Sequence, residues 1–156
     1  SSITRDIWRY DLERNEHEMI INWQGEDRNP VFSADEQAIF YLSEESGTFN
    51  VHRYDVNSGT TRQVTDFDLH PVRFLSAGAG TLCFSYDGEL YTLSEAGTAP
   101  QKVAITIRTQ VASNPDQFIA INGGVREMDI SPDGKEIAFI ARGEVFVTSV
   151  DGNLTK

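Results

Sequence analysis

Cysteine is all but missing from this sequence. Cys83 stands alone among 156 residues, so no disulfide can form within the chain, and the compartment stays open between cytoplasm and periplasm. Its setting, Thr81-Leu82-Cys83-Phe84-Ser85-Tyr86, reads as a strand in which Cys83 is a small buried hydrophobe rather than a nucleophile. Long apolar runs are missing too. None approaches the roughly 18–20 residues of a membrane-spanning helix, so no membrane insertion of that kind is expected. Ser1-Ser2-Ile3 has neither the basic nor the apolar region of a signal peptide. Positive charge is scarce: 13 Lys and Arg face 24 Asp and Glu, a net charge of −11. Nucleic acid, whose binding rests on cations that neutralise phosphates, is therefore not an expected partner. The acidic surplus reads first as a means of staying soluble. Apolar residues at helical spacing are absent as well.

What is present is a repeated unit. Its clearest copy is Ser131-Pro132-Asp133-Gly134-Lys135-Glu136-Ile137-Ala138-Phe139-Ile140-Ala141-Arg142-Gly143-Glu144-Val145-Phe146-Val147. Pro132 presets φ for a turn, and Asp133-Gly134 tolerates the positive φ that a tight turn demands. The β-branched and aromatic runs on either side of Arg142-Gly143 are short strands. Ser76, Leu82, Phe84, Gly88, Glu89 and Tyr91 match Ser131, Ile137, Phe139, Gly143, Glu144 and Phe146 at a single offset of 55 residues. Ser33, Ile39 and Tyr41 match Ser76, Leu82 and Phe84 at 43 residues. At 44 residues, Ile7-Trp8-Arg9-Tyr10-Asp11-Leu12 repeats as Val51-His52-Arg53-Tyr54-Asp55-Val56, with Ile20 on Val64. A repeat of roughly 40–45 residues holding about four strands is that of a propeller blade. The expected fold class is all-β: four-stranded antiparallel blades in an incomplete ring, with parts of two propellers.

Taken in order, residues 3–12 and 17–23 are the outer strands of a blade that the chain enters midway. A full blade follows in Val31–Ser33, Ala38–Leu42, Phe49–Tyr54 and Arg62–Thr65, and another in Val72–Leu75, Thr81–Tyr86, Glu89–Leu93 and Lys102–Ile107. The last runs through Glu127–Ile130, Ile137–Ala141 and Val145–Val150, with Leu154-Thr155-Lys156 beginning an outer strand. The rhythm breaks once, near Gln110–Gly124, where Phe118–Ile121 is expected as a short strand among turn residues. The excess is either a blade insertion or a crossing between two propellers.

Chemistry is thinly spread. His17, His52 and His70 lie in different blades or links, and His70, before Pro71, is the best placed to meet a ligand. There is no HExxH, no paired-cysteine motif and no glycine-rich phosphate loop, so neither a cofactor nor a metal is expected. Asp66-Phe67-Asp68 clusters oxygen ligands but lacks the rest of a calcium loop. Ser131 shares its place with Ser33 and Ser76, which points to a turn role rather than a nucleophile. In a propeller, the links between blades lie near the axis on one face. The links Glu26–Asn29, Asp66–His70 and Gly124–Arg126 then place Asp27, Arg28, Asp68, His70 and Arg126 around a channel rim suited to peptides, with no catalytic residue in this chain.

The Ser-Pro-Asp-Gly-Lys-x-Ile-Ala-Phe unit with its hairpin strand resembles the TolB group of propellers. Met128 to Lys135, taken with Ala141 to Val147, is similar to the segment that opens the second propeller of tricorn-type proteases, where a six-bladed ring precedes a seven-bladed one. The resemblance covers most of the chain at blade level and is specific over residues 125–151. It implies that residues 1–111 are the last blades of the first propeller and that residues 112–156 open the second. It further implies a parent chain whose serine nucleophile lies in a separate peptidase domain beyond a PDZ domain. The propellers of that family are expected to filter or guide peptides. The alternative is a TolB-like module for protein–protein interaction with no protease attached.

Overall fold

A computed structural model of the chain describes residues 4–97, 99–111 and 114–152. Every regular element among them is a strand. Strands β1 (Ile7–Asp11) and β2 (Glu16–Ile21) pair as a hairpin. The second sheet is a four-stranded antiparallel meander of β3 (Asp27–Phe32), β4 (Ala38–Ser43), β5 (Asn50–Asp55) and β6 (Thr61–Gln63). The third repeats it with β7 (Arg73–Gly78), β8 (Thr81–Tyr86), β9 (Glu89–Ser94) and β10 (Gln101–Lys102). After a separate hairpin, β11 (Thr106–Val111) with β12 (Asn114–Ala120), comes the last sheet, β13 (Val125–Ile130), β14 (Glu136–Ala141) and β15 (Glu144–Ser149).

The apolar positions explain why these sheets must stack. Side chains alternate between the two faces of a strand, and both faces of β4 and β8 are buried. Ile39 and Tyr41 pack toward the first sheet, in one cluster with Ile7 and Ile21. Leu82 and Phe84 pack toward the second, with Phe40, Leu42, Val51 and Val64. Ile137 and Phe139 pack toward the third, with Cys83, Leu90, Val103 and Ile105. The positions aligned in the sequence thus face the preceding sheet each time. Burying each of these Leu, Ile or Phe side chains contributes about 1.5–3 kcal/mol. The strands through which neighbouring sheets touch include the first of each, β3 on β7 and β7 on β13. The result is a set of propeller blades, and the ring is not closed.

Several expectations shift. The break near Gln110–Gly124 holds the longer strand β12, paired with β11, and Asp27, Arg28 and Arg126, expected in links, lie on β3 and β13. Lys102–Ile107 is not one strand: β10 ends at Lys102, Val103 and Ile105 turn into the core, and Thr106 begins the hairpin with β12. Ser76 does not repeat the turn role of Ser33 and Ser131. Ser33 closes its turn by donating to Asp35 Oδ1 (2.7 Å) while accepting from the Ala38 amide (2.9 Å). Ser131 does the same with Asp133 (2.6 Å) and the Glu136 amide (3.0 Å). In the third sheet Ala79 and Gly80, both with positive φ, make a tight two-residue hairpin. The longer turn is therefore absent, and Ser76 moves two positions into β7, opposite Cys83. Residue 112, where the sequence places the boundary between propellers, and Leu154 to Lys156 lie outside the described residues.

Candidate binding cleft

A cleft of about 490 Å³ opens where the third and fourth sheets meet. One wall is the link His70-Pro71 with Arg73 and Phe74 at the start of β7. Asp87-Gly88, in the turn between β8 and β9, makes a second, and Val125-Arg126 at the start of β13 a third. Ser85, only 3% exposed, contributes to the lining from β8.

Backbone conformation builds this place. Asp87 and Gly88 both have positive φ, so the hairpin turns within two residues. The Gly88 carbonyl then accepts from the Val125 amide at 3.0 Å, tying the third sheet to the fourth. A Cβ on Gly88 would come within 2.7 Å of the Gly124 nitrogen, so only glycine fits there. Phe74 holds φ at +58°, an unusual conformation for a bulky residue. It sits in a β-bulge between Arg73 and Ser76, where the pairing with β8 shifts register.

Charge in the cleft is mixed but leans positive. His70 Nε2 stands 3.6 Å from Asp87 Oδ1, with the His70 ring 6.0 Å from that of Tyr86. Arg73 and Arg126 are exposed and make no ion pair among the described residues.

Of the five rim residues read from the sequence, the fold brings together His70 and Arg126. Asp68 is exposed in the link and does not border the cleft. Arg28 lies 3.8 Å over the Phe49 ring and 3.9 Å from Glu26. Asp27 is 1% exposed, so its carboxylate is part of the interior rather than of a rim. Its Oδ1 accepts from Trp23 Nε1 at 2.9 Å while Oδ2 has no hydrogen-bond partner among the described residues, and burial pushes its pKa up. Tyr41 lies in the core cluster of Ile7 and Ile21 with buried His52 against it; His52 Nε2 has no hydrogen-bond partner among the described residues, and burial holds His52 below its usual pKa. Arg73, Phe74, Ser85 and Asp87 join the site although sequence reasoning passed them over. The signal for Arg73 was an arginine at one strand position in successive repeats, hidden by the shorter turn of the third sheet.

No protein-family description matches the chain. Over 115 residues, 73% of the chain, it is 28% identical to the tricorn protease of Thermoplasma acidophilum, of which this match covers 10%. The chain thus spans about a tenth of that relative's length. Among solved structures, TolB from Acinetobacter baumannii superposes with a TM-score of 0.53 at 16% identity, over 94% of this chain and 47% of that one. The nidogen/laminin complex gives 0.69 at 11% identity, over 98% and 57%. Sequence and fold converge: the chain is a β-propeller segment that resembles the tricorn-like, TolB-type propeller region.

Proposed function

We propose that this chain is a non-catalytic propeller segment of a larger tricorn-like serine protease, where it guides or filters peptides and scaffolds a separate peptidase domain. The observation that carries the reading is the cleft between the third and fourth sheets, with His70 and Arg126 at its mouth. It gathers charged side chains and strand-edge backbone from two blades, which suits a peptide's termini and amides. The likeness to a tricorn protease supplies the protease context. Peptide binding by the intact protein, followed by fluorescence anisotropy, tests it. Replacing His70 and Arg126 together by alanine should weaken binding about tenfold or more while leaving the chemistry of the peptidase site intact. Unchanged binding would remove the cleft from this role, and no binding by the intact protein would remove the peptide role.

The boundary near residue 112 belongs to the same proposal. Its support is the break in repeat spacing before the last sheet and the resemblance over residues 125–151. The core shared by Cys83, Leu90, Ile137 and Phe139 speaks for an insertion within one ring instead. Cleavage within residues 110–124 separates the two: fragments of adjoining propellers come apart in mild denaturant, whereas an insertion leaves them folded together. Without a peptidase domain in the parent protein, the TolB-like interaction module is the reading that remains.

A further inference from the structure

We propose that the axis side of these blades carries a repeating arginine stripe, and that its cleft takes the side-chain carboxylates of acidic peptide segments. This rests on the peptide reading above and names the chemistry of the peptide that fits.

Arg28, Arg73 and Arg126 occupy one position on β3, β7 and β13. Each stands four residues before the residue that pairs with the aligned apolar position of the next strand, Phe32 with Ile39, Ala77 with Leu82 and Ile130 with Ile137. Arg28 and Arg73 pair with Leu42 and Ser85 at the edge of the register shift of their strands, and Arg126 lies within that of its own, where Glu127 pairs with Ile140. The preceding position is buried in all three, as Asp27, Val72 and Val125. Burial there fixes the strand's rotation, so the alternation of side chains turns the three arginines to one side.

The stripe runs against the composition of the chain, which has a net charge of −11. With 24 carboxylate residues available, Arg73 and Arg126 nonetheless have none within ion-pair distance among the described residues. Both line the same cleft. Unpaired like charges on touching strands repel, and an anion seated between them relieves that cost. Guanidinium forks hold carboxylates through two parallel hydrogen bonds. Ser85, whose side chain makes no hydrogen bond among the described residues, adds a hydroxyl to the same lining. Two guanidinium forks on separate strands offer places for two carboxylates. A run of Asp or Glu supplies them, and a single chain terminus does not. Arg28, already engaged by Phe49 and Glu26, extends the stripe without being free to bind.

The test is anisotropy with the intact protein and four labelled peptides of equal length. Three are acetylated and amidated, rich in Glu, in Gln or in Lys. The fourth is the Gln peptide with a free C-terminal carboxylate. The Glu peptide should bind about tenfold tighter than the Gln peptide at low salt and lose that advantage at high salt. Arg73→Gln with Arg126→Gln should abolish the difference, and Arg73→Lys with Arg126→Lys should keep part of it. The lysine pair and the salt series decide the matter if the glutamine pair fails to fold. Equal binding of the Glu and Gln peptides, tighter binding of the Lys peptide, or a preference only for the free terminus would overturn the proposal while the peptide reading stands. Binding of no peptide would overturn both.

Discussion

The Ser76 hydroxyl donates to the carboxylate of Asp129, and the two residues occupy the same position on the first strands of adjacent sheets. Asp129 also accepts from the Ile130 amide at 2.9 Å, so its carboxylate is anchored on its own strand while it holds the neighbour. A hydrogen bond to a charged acceptor contributes about 1.5–3 kcal/mol when shielded and less where water competes, as at exposed Asp129. Ser76→Ala and Asp129→Ala should each cost about 1 kcal/mol or more in urea unfolding. Their combination should cost less than the sum, because the second change removes a partner already gone. Full additivity would mean that the two do not act as a tie between blades.

Gly88 makes the other tie between the same sheets. Its φ is +73°, and a Cβ would meet the Gly124 nitrogen at 2.7 Å. Gly80 has a similar φ of +80° with nothing within 4 Å. Alanine at either position carries the left-handed penalty of about 1 kcal/mol. Only Gly88→Ala also forces the fourth sheet away from the third. It should lower the thermal midpoint clearly more than Gly80→Ala does, and faster amide exchange at Val125 should accompany the loss. Equal effects of the two substitutions would place the cost in φ alone.

The stacking of sheets was legible in the sequence because faces follow from period two. Once Ile39, Leu82 and Ile137 align, so do Tyr41, Phe84 and Phe139, and each set turns the same way. Register on the first strands was not legible. A two-residue turn at Ala79-Gly80 moves Ser76 by two positions without altering the pattern of apolar residues after it. The same shift hid the equivalence of Arg28, Arg73 and Arg126. His70 could be found because a link residue is recognisable by its position between strands, whereas Arg126, expected in a link as well, stands second in β13. Asp87 and Ser85 could not, since their share in the cleft depends on how one blade leans on the next. The burial of Asp27 was also hidden, because an aspartate in a polar link reads as solvated. Asp27 lies on β3 opposite buried Ser43 and accepts from Trp23.

That burial sets a pH dependence. Desolvation raises the Asp27 pKa in the folded chain, so the folded state binds its proton more readily than the unfolded state does. Stability from this group is therefore greatest below the ordinary carboxylate range and is lost as pH rises through the folded value. His52 works in the opposite sense. Its pKa is depressed by desolvation, so its contribution is complete above the unfolded value and falls away as pH drops through the folded one. Asp27→Asn keeps an acceptor for Trp23 and removes the charge. Relative to wild type, it should gain stability as pH is raised from about 4 toward 7. A wild-type difference that does not vary over this interval would mean that the carboxylate is solvated. For His52→Gln, the difference from wild type should change as pH is lowered from about 7 toward 5, with the variant relatively more stable at the acid end.

The exposed apolar positions at either end of the stack follow the repeat as well. Val145 on β15 holds the place that Leu90 holds on β9, yet Val145 is 71% exposed and Leu90 is fully buried. At the other end, Trp8 and Tyr10 are 54% and 52% exposed where His52 and Tyr54, at the same positions of the next sheet, are 4% and 8%. The difference comes from what lies alongside, since strand geometry is common to each pair. Leu90→Ala leaves a cavity against Ile137 and Phe139 and should cost about 2–5 kcal/mol. Val145→Ala in the isolated chain should shift stability by no more than about 0.5 kcal/mol. In a longer protein whose next blade covers this face, the same Val145→Ala change should cost about 1 kcal/mol or more, because the position then becomes a core site. Urea titration of both lengths separates the cases, and an unchanged small effect in the longer protein would show that this face stays open to water.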